Sequence, residues 1–449
     1  MKVAENQKNT NQRGQAIVLG GSLGGLMVAR ALSNHYERVT IIEKDQVERQ
    51  PCSRKGQPQT RHLHGLLPGG LNVMLHYFPD LKDALAANGA LLANFAQDMI
   101  WYTHGGYRKR FEMDLTAAAM SRPLLEHLIR ERVLALPNVE LMDNTSVKNL
   151  ISTPDQQQIT GVNIQLTELG KVMDLHADLV VDVTGRGSRT PKWLEELGFE
   201  APSVSEVKVN VAYATRMYKR DPLDPRSTNW MLYTPMAPEE MRFGGMFPVE
   251  GDRWMLTVGG WHGDHVGCDE AAFNEFVRQL PMPEFYDIIS NSEPLSEIIP
   301  YKYSHSLRRH YEKLKKFPLG FLVMGDAVCS FNPVYGQGMT SASMQAIELD
   351  KLLGKNIPEQ HLAHRFFKEA AKVVDIPWQL AVGEDFRYSA TTGPKPAGIG
   401  VINKYVTRVH RATLKDPVVC DAFLRVMSLL KAPTSLFHPK IFWRVMWAG

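Results

Sequence analysis

The sequence contains little cysteine, no long apolar run and no leader-like segment. Its four cysteines stand far apart among 449 residues and form no C-x-x-C pair, so neither a zinc site nor a disulfide framework is expected. No stretch approaches the roughly 18–20 apolar residues that a membrane-spanning helix needs. The polar segment 1–14 lacks the apolar core of a secretory signal. These absences predict a protein without a bound metal, located in the cytoplasm and at most peripheral to a membrane.

An excess of charge of one sign is also absent. The chain carries 51 basic and 48 acidic residues, for a net charge of +3. A nucleic-acid-binding protein usually concentrates its basic residues in one patch, and the densest basic segment here, residues 308–316, is interpreted as a solvated face. No nucleic-acid partner is therefore expected. With 44% hydrophobic and 22% charged residues, the chain has enough apolar side chains for a large core.

A glycine-rich turn follows the first predicted strand, Gln15–Leu19. The turn reads VLGGSLGGL, in which Gly20 and Gly25 take the first and third glycine positions of a G-x-G-x-x-G pattern and Ser22 takes the second. The first glycine permits a tight turn, and the third lets the helix predicted over Leu26–Ser33 approach the strand closely. Helix amides and the Ser22 hydroxyl are then expected to face a diphosphate.

An acidic residue completes this dinucleotide fingerprint. Glu43 ends the next predicted strand, Arg38–Glu43, near the separation at which a carboxylate receives ribose hydroxyls. The βαβ unit therefore predicts a dinucleotide site. Its candidate residues are Gly20, Gly21, Ser22, Leu23, Gly24, Gly25, Glu43 and Lys44.

The segment Phe321–Met339 indicates which dinucleotide is bound. It reads FLVMGDAVCSFNPVYGQGM and resembles the GD motif of flavoprotein monooxygenases of the para-hydroxybenzoate hydroxylase and squalene epoxidase superfamily. The resemblance implies that Asp326 binds the ribityl chain of FAD and that the loop after it lies against the flavin ring. The loop residues assigned to the ring are Pro333, Gly336, Gly338 and Met339. Independently, the pattern predicts a buried strand over Phe321–Met324 and a helix opened by Gly338, whose amides can stabilise negative charge on reduced flavin.

Two other segments resemble this superfamily. The segment Ser121–Leu125 is similar to a helix start whose arginine, here Arg122, contacts FAD. The segment Arg54–Leu67 is similar to one in FAD-dependent polyene and polyether epoxidases, and Arg54 joins the candidate site on that basis. The resemblance runs from the glycine turn to the C-terminus and is loosest over Val207–Glu297.

The sequence departs from the superfamily at two places. Thr184–Gly185 stands where many members carry an Asp-Gly pair that serves both FAD and NAD(P)H, and the nearest carboxylate is Asp182. Electrons are therefore expected from NAD(P)H either directly or through a separate flavin reductase. Cys329 replaces a histidine of many hydroxylases and is interpreted as a small packed residue rather than a reactive thiol.

The implied fold is α/β, with a Rossmann-like FAD-binding domain, an inserted antiparallel sheet and a helical C-terminal segment. Residues 207–306 alternate polar with apolar or aromatic residues, as half-buried antiparallel strands do. We therefore predict an FAD-binding domain from residues 15–206 and 307–355, a substrate-binding sheet over 207–306 and a helical region over 356–449.

The implied function is that of an FAD-dependent monooxygenase. Reduced flavin and O2 would form a flavin hydroperoxide that delivers one oxygen atom to a small apolar organic substrate, with epoxidation of an alkene or polyene in secondary metabolism as the leading hypothesis. Three alternatives remain open: an NAD(P)H-dependent aromatic hydroxylase, an FAD-dependent isoprenoid saturase or dehydrogenase, and a flavin-binding protein without turnover.

Catalytic side chains are not assigned, because flavin carries the chemistry. His62 and His64 flank Leu63 and are interpreted as hydrogen-bonding residues rather than bases, although a phenol substrate would benefit from a base. Seven large residues of the predicted sheet face either substrate or core: Trp230, Met231, Tyr233, Met246, Trp254, Met255 and Trp261. The C-terminal segment LFHPKIFWRVMW is interpreted as packing on its own domain, with contact to a membrane surface as the alternative.

Overall fold

The computed structural model describes residues 13–355 and 357–448, so most of the polar segment 1–14 lies outside it. The strands in chain order are β1 (Arg13–Leu19), β2 (Tyr36–Ile42), β3 (Gly65–Leu66), β4 (Leu91–Asn94), β5 (Met99–Thr103), β6 (Gly106–Tyr107), β7 (Thr116–Ala119), β8 (Val139–Met142), β9 (Thr145–Ser152), β10 (Ile159–Leu166), β11 (Val172–His176), β12 (Leu179–Asp182), β13 (Val204–Lys219), β14 (Trp230–Tyr233), β15 (Arg242–Val249), β16 (Arg253–Trp261), β17 (Ile299–Arg309), β18 (Phe321–Val323) and β19 (Cys329–Ser330). The α-helices are α1 (Leu23–Leu32), α2 (Pro68–Tyr77), α3 (Leu81–Ala87), α4 (Arg122–Leu134), α5 (Thr190–Glu196), α6 (Glu270–Arg278), α7 (Glu284–Ile289), α8 (Gly338–Leu353), α9 (Glu359–Asp385), α10 (Ile399–Ala412), α11 (Pro417–Met427) and α12 (Pro439–Ala448).

A five-stranded parallel sheet forms the nucleotide-binding half. Its strand order is β18-β12-β1-β2-β8, so β1 lies at the centre between β2 and β12. The central strand ends in Ala16–Leu19, a fully apolar and buried run, as expected for a strand covered on both faces. This sheet brings two chain segments together, because β1 and β18 are separated by about 300 residues in sequence but only by β12 in space. The α/β fold with a Rossmann-like half is thereby confirmed.

An eight-stranded, mainly antiparallel sheet forms the second half, in the order β19-β17-β13-β16-β15-β14-β5-β6. It extends beyond the residues 207–306 assigned to it from sequence. Strands β5 and β6 come from before that range and β19 from after it, and β5 pairs in parallel with β14. The sequence pattern did not indicate this, because β5 finds its main partner more than 120 residues away. The domain boundaries themselves remain a prediction.

The two faces of this sheet are covered by different helices. Alternation along β14 sends Met231 to one face, where it packs beneath α6 and α7, and sends Trp230 to the other. On that second face, residues of α10, α11 and α12 pack against the sheet, among them Phe423. The space between the sheet, these C-terminal helices and the parallel sheet holds the cavity described below.

The interpretation of residues 308–316 as a solvated face is wrong for its first two members. Arg308 and Arg309 are buried, at 6% and 9% exposure. The Arg309 guanidinium donates to the backbone carbonyls of Ala327 and Arg186, both at 2.9 Å. Arg309 therefore ties the end of β17 to the GD-motif turn, a role that a count of charges could not reveal. Among the described residues, no helix is long and apolar enough to cross a membrane.

Candidate FAD site and substrate chamber

The glycine turn after β1 has the backbone geometry that the fingerprint predicts. Gly20 adopts a φ of +102°, which strongly favours glycine. A Cβ on Gly25 would stand 1.8 Å from the carbonyl oxygen of Gly20, so only glycine lets α1 begin this close to the strand. Helix α1 begins at Leu23, three residues earlier than predicted. Its first amides therefore lie directly at the turn.

Glu43 closes the turn from the end of β2. Its carboxylate accepts hydrogen bonds from the amides of Gly21, at 2.9 Å, and Asp45, at 3.0 Å, and it lies 3.3 Å from the Arg54 guanidinium. The side chain is buried yet lines the cavity. A carboxylate held in this way has lone pairs left for the hydroxyls of a ribose.

Glu126, on α4, joins three of the candidate residues. It accepts from the guanidinium of Arg54 at 2.5 Å, from that of Arg122 at 3.4 Å and from the hydroxyl of Ser22 at 3.1 Å. Burial raises the pKa of the Glu126 carboxyl, but Arg122 and Arg54 outweigh it and hold the pKa below its ordinary value. The Ser22 hydroxyl, expected to face a phosphate, thus donates to Glu126 in this structure.

Asp326 follows β18 at the opposite side of the same space. The residue is exposed and lines the cavity, and among the described residues no donor hydrogen-bonds to its carboxylate. Desolvation by the surrounding protein raises the pKa of this carboxyl, while Arg122 and Arg186 act in the opposite direction. An exposed carboxylate without a partner is suited to accept hydrogen bonds from a polyol such as the ribityl chain.

The loop after Asp326 leaves room where a flat ring would lie. Gly336 adopts a φ of +68°, and a Cβ placed on either Gly336 or Gly338 would meet no atom within 4 Å. Gln337, between them, is 1% exposed, and its side-chain oxygen has no hydrogen-bond partner among the described residues. Helix α8 begins at Gly338, as predicted, so its N-terminal amides face the same space.

One cavity of about 1150 Å³ unites these segments. Pockets for a single drug-sized ligand measure roughly 300–1,000 Å³, so this one is larger than such a ligand requires. Three of the fifteen candidate residues, Gly21, Gly25 and Arg54, lie behind its wall and shape it. The twelve that line it are Gly20, Ser22, Leu23, Gly24, Glu43, Lys44, Arg122, Asp326, Pro333, Gly336, Gly338 and Met339.

The residues present fit FAD. The end at α1 offers helix amides and a carboxylate, as a diphosphate and ribose require, and the end at α8 offers open backbone and the unpaired Gln337 oxygen. The buried Nε of Arg122, between these ends, also has no hydrogen-bond partner among the described residues. Arg122 and Gln337 both line the cavity, so a bound dinucleotide would lie beside them.

The cavity continues into an apolar chamber between the large sheet and the C-terminal helices. Of the seven large residues weighed from the sequence, Trp230, Tyr233 and Trp261 line it, and the other four do not. Met231, Met246 and Trp254 pack instead under α6 and α7. The chamber wall also contains aromatic residues that the sequence did not single out: Phe95, Trp101, Tyr213, Phe243, Phe247 and Phe423.

His62 and His64 both line the cavity. The Nδ1 atom of His62 lies 2.8 Å from the hydroxyl of Thr215, and that of His64 lies 2.8 Å from the carbonyl oxygen of His62. Burial lowers the pKa of each imidazole to about 4, helped by Arg61 at His62 and by Arg122 at His64. Both rings are therefore neutral at pH 7, and both are weak bases.

Asp182 does not take part in the site. It is fully buried at the end of β12 and accepts hydrogen bonds from Thr184, through both its amide (2.8 Å) and its hydroxyl (2.6 Å), and from Ser188. This carboxylate therefore holds the loop that follows it.

Asp385, at the end of α9, fixes the loop of the GD motif from outside the cavity. Its Oδ1 accepts hydrogen bonds from Asn332 at 2.9 Å, Tyr335 at 3.0 Å and Trp261 at 3.2 Å, while its buried Oδ2 has no partner among the described residues. Burial raises the pKa of this carboxyl to about 7, against these three donors and assisted by Glu384.

Sequence reasoning missed Glu126, Gln337 and Asp385. Glu126 had a signal, since it stands four residues after Arg122 on a predicted helix and so shares its face. Gln337 lies within the GD motif itself. Asp385 had no signal in the sequence, because its hydrogen-bonding partners come from two distant segments.

The comparisons with known proteins concern the family and the fold. Residues 13–366 match the model of a family described as FAD binding domain. The chain is 31% identical over 439 residues to Protein Rv3254 of Mycobacterium tuberculosis, covering 94% of this chain and 90% of that protein. In fold it is similar to the flavin-dependent brominase Bmp2, with a TM-score of 0.67 and 14% identity over 96% of this chain and 98% of that one. It is also similar to 2-methyl-3-hydroxypyridine-5-carboxylic acid oxygenase, with a TM-score of 0.59 and 20% identity over 82% of this chain and 90% of that one.

Fold and family match together define a protein with an FAD-binding domain, whose fold is similar to that of the flavin-dependent brominase and the oxygenase above. The sequence match over most of the chain is specific: the protein belongs to the family described as FAD binding domain.

Proposed function

We propose that the protein is an FAD-dependent monooxygenase that transfers one oxygen atom from O2 to an apolar organic substrate, and that the reaction is the epoxidation of an alkene or polyene in secondary metabolism. The observation that carries this proposal is the apolar chamber that continues from the candidate FAD site. Bound FAD would supply the activation of O2. One oxygen atom enters the substrate and the other leaves as water, with two electrons and one proton from NAD(P)H, directly or through a flavin reductase, and a second proton from solvent.

The chain's own residues have three tasks in this proposal. Residues of the two turns bind and orient the cofactor, with Glu43 and Asp326 at its sugar and ribityl positions. The chamber wall, including Trp230 and Phe247, excludes water and holds an apolar substrate by burial of its surface. None of these tasks needs a base, which is why an alkene is the preferred substrate class.

Aromatic hydroxylation is the second candidate, and the position of His62 in the cavity wall favours it. A neutral imidazole can accept a hydrogen bond from the hydroxyl of a phenol. His62 has its Nδ1 fixed by Thr215 and lies against the rings of Tyr213 and Tyr301, at centroid distances of 5.0 and 5.3 Å. Such fixed geometry suits either a hydrogen-bond partner of a phenol or a wall residue.

One experiment separates these candidates. The FAD-loaded protein is reduced and mixed with alkenes or phenols under 18O2, with and without bromide. The masses of the products are then determined by mass spectrometry. An epoxide with one heavy oxygen supports the leading proposal, and a labelled phenol product supports hydroxylation. Monooxygenation would be contradicted by a brominated product alone, by saturation of the alkene without O2, or by the absence of product from both substrate classes.

The same assay addresses the electron donor. Fast bleaching of the flavin by NAD(P)H alone indicates direct reduction, whereas slow bleaching that an added flavin reductase accelerates indicates a two-component system.

We also propose a cytoplasmic location with peripheral contact to a membrane, for which the C-terminal helices provide the surface.

A further inference from the structure

The C-terminal helices carry an exposed apolar surface beside the cavity. We define the C-terminal apolar face by Val401 and Ile402 on α10, Phe437 just before α12, and Trp443, Met446 and Trp447 on α12. All six are exposed, and Trp447 reaches 87%. Exposed apolar residues scattered singly are ordinary, but a contiguous set marks an interaction surface.

Contacts between the helices make this surface continuous. The ring of Tyr405, on α10, stacks on Phe437 at 4.7 Å and on Phe442 at 5.7 Å between centroids. The guanidinium of Arg408 lies 3.1 Å from the sulfur of Met446. Helices α10 and α12 therefore present their outward apolar residues side by side.

The same surface reaches the cavity. Ile402 and Phe437 are exposed at the molecular surface and also line the cavity, together with Tyr405. The C-terminal apolar face thus borders the cavity that contains the chamber proposed for substrate.

The charge of this region is strongly one-sided. Residues 395–449 contain nine lysines and arginines but only two acidic residues, although the whole chain has a net charge of only +3. Lys404, Arg408, Lys440 and Arg444 lie on the two helices that carry the apolar face, and all four are exposed. Of these, Arg444 is paired with Asp416, at 2.8 Å.

We propose that the C-terminal apolar face docks on an anionic lipid bilayer. Exposed tryptophans interleaved with lysine and arginine are the features of helices that lie in the interface of a membrane. A second copy of the chain would bring the same positive charge against itself, so charge complementarity favours the bilayer. Resting on the proposed function, this placement would let an apolar substrate pass from the lipid into the chamber without crossing water.

The test uses the full-length, FAD-loaded protein and vesicles of phosphatidylcholine with or without 30% phosphatidylserine. Flotation should show binding to the anionic vesicles that falls when the salt is raised from 50 to 500 mM, and little binding to neutral vesicles. The double variant Lys404→Gln/Lys440→Gln should bind about 30-fold more weakly, from the loss of two surface charges. Trp443→Ser/Trp447→Ser should abolish binding.

Matched controls lie on other faces of the molecule. Leu223→Ser removes an exposed apolar residue, at 89% exposure, and Lys82→Gln removes an exposed charge, so both should bind as the unaltered protein does. Retained flavin absorbance and an unchanged melting temperature establish that each variant is folded.

Three outcomes would overturn the inference: equal binding by the tryptophan variant, binding to neutral and anionic vesicles alike, or self-association in light scattering that the tryptophan variant loses. Vesicle binding is measured without turnover, so it is separable from the proposed function. Oxygenation in detergent without vesicle binding would remove this inference alone, whereas vesicle binding without any oxygenation would remove the proposed function alone.

Discussion

At the residue scale, Gly25 has a backbone environment that admits no side chain. A Cβ there would stand 1.8 Å from the Gly20 carbonyl oxygen, so Gly25→Ala must displace α1 from the turn and should give protein that purifies without flavin. Gly400→Ala is the matched control, because a Cβ at Gly400 meets nothing within 4 Å. Absorbance near 450 nm per mole of protein measures the result. Normal flavin content in Gly25→Ala would mean that the turn does not bind FAD.

Asp326 tests the opposite end of the proposed site. Asp326→Ala removes the open carboxylate proposed to accept ribityl hydroxyls, and we expect at least a tenfold weaker FAD affinity by fluorescence titration, on the order of 1.5–3 kcal/mol for a hydrogen bond to a charged group. Cys329→Ser is the neighbouring control. Cys329 is buried, and burial raises the pKa of its thiol far above the ordinary value, so this thiol stays protonated and turnover should persist.

Asp385 gives the stability of the protein a distinct pH dependence. Its folded pKa of about 7 lies above the 3.8 of an unperturbed aspartate, so the native state binds the proton more tightly and stability is lost as the pH rises from about 4 to about 7. His410 and Arg387 lower the pKa of Glu384 to about 2 against its burial, so Glu384 changes the stability only below pH 4.5. The lowered pKa values of His62 and His64 make stability rise with pH between about 4 and 6.5, which is opposite in sign to the effect of Asp385.

The quantity to measure is therefore the difference between Asp385→Asn and the unaltered protein. Urea unfolding at pH 5 and pH 8 should show that difference moving in favour of the variant as the pH rises, by on the order of 3 kcal/mol, since about two pH units separate pH 5 from the folded pKa. Tyr335→Phe, which removes one donor to the same oxygen without removing the titrating group, should retain the slope. A difference independent of pH would contradict a raised pKa at Asp385.

At the scale of elements, Asp416 links two C-terminal helices. Its Oδ1 accepts from the amides of Val418 and Val419, at 2.8 and 3.3 Å, which caps α11, and its Oδ2 pairs with Arg444 on α12. Asp416→Ala should cost about 1 kcal/mol and increase hydrogen exchange in both helices. Asp421→Ala is the control, since Asp421 pairs with Arg425 within α11 and such pairs contribute only about 0.2–0.5 kcal/mol. If Asp416→Ala and Asp421→Ala lowered the stability equally, the cap would contribute nothing to it.

The elements that sequence predicted well are those with local signals. Helix α4 begins at Arg122, within the segment Ser121–Leu125 that predicted a helix start, and β1 and β2 agree with their predicted bounds to within two residues. Strands β5 and β6 lacked such a signal, because their place in the sheet depends on β14. The burial of Arg308 and Arg309 was missed for a related reason. Their hydrogen-bonding partners lie on other segments, and from composition alone an arginine is expected to be exposed to solvent.

At the scale of the whole molecule, the candidate FAD site forms where two turns that are distant in sequence lie close together in space. The sequence predicted which residues belong to each turn, since each motif is local, and the fold could be inferred because the parallel sheet brings β1 and β18 near each other. The extent of the chamber was beyond prediction, since its wall combines β5, β14 and β15 with α10 and α11. Alternation indicated that some large residues face inward, but only the packing of α6 and α7 decides which face Met231 joins.

The proposal that one ligand spans both turns predicts how ligands stabilise the fold. A ligand that binds only the native state, at 100 times its dissociation constant, adds about 2.7 kcal/mol, which for a chain of 449 residues raises the melting temperature by about 3 °C. ADP reaches only the turn at Gly20, and riboflavin only the loop at Gly336. At the same concentration, each should therefore shift the melting of apoprotein by less than about 1 °C. If ADP stabilised apoprotein as well as FAD does, the later loop would contribute nothing to binding, and the assignment of Asp326 and Gly336 to the cofactor would fail.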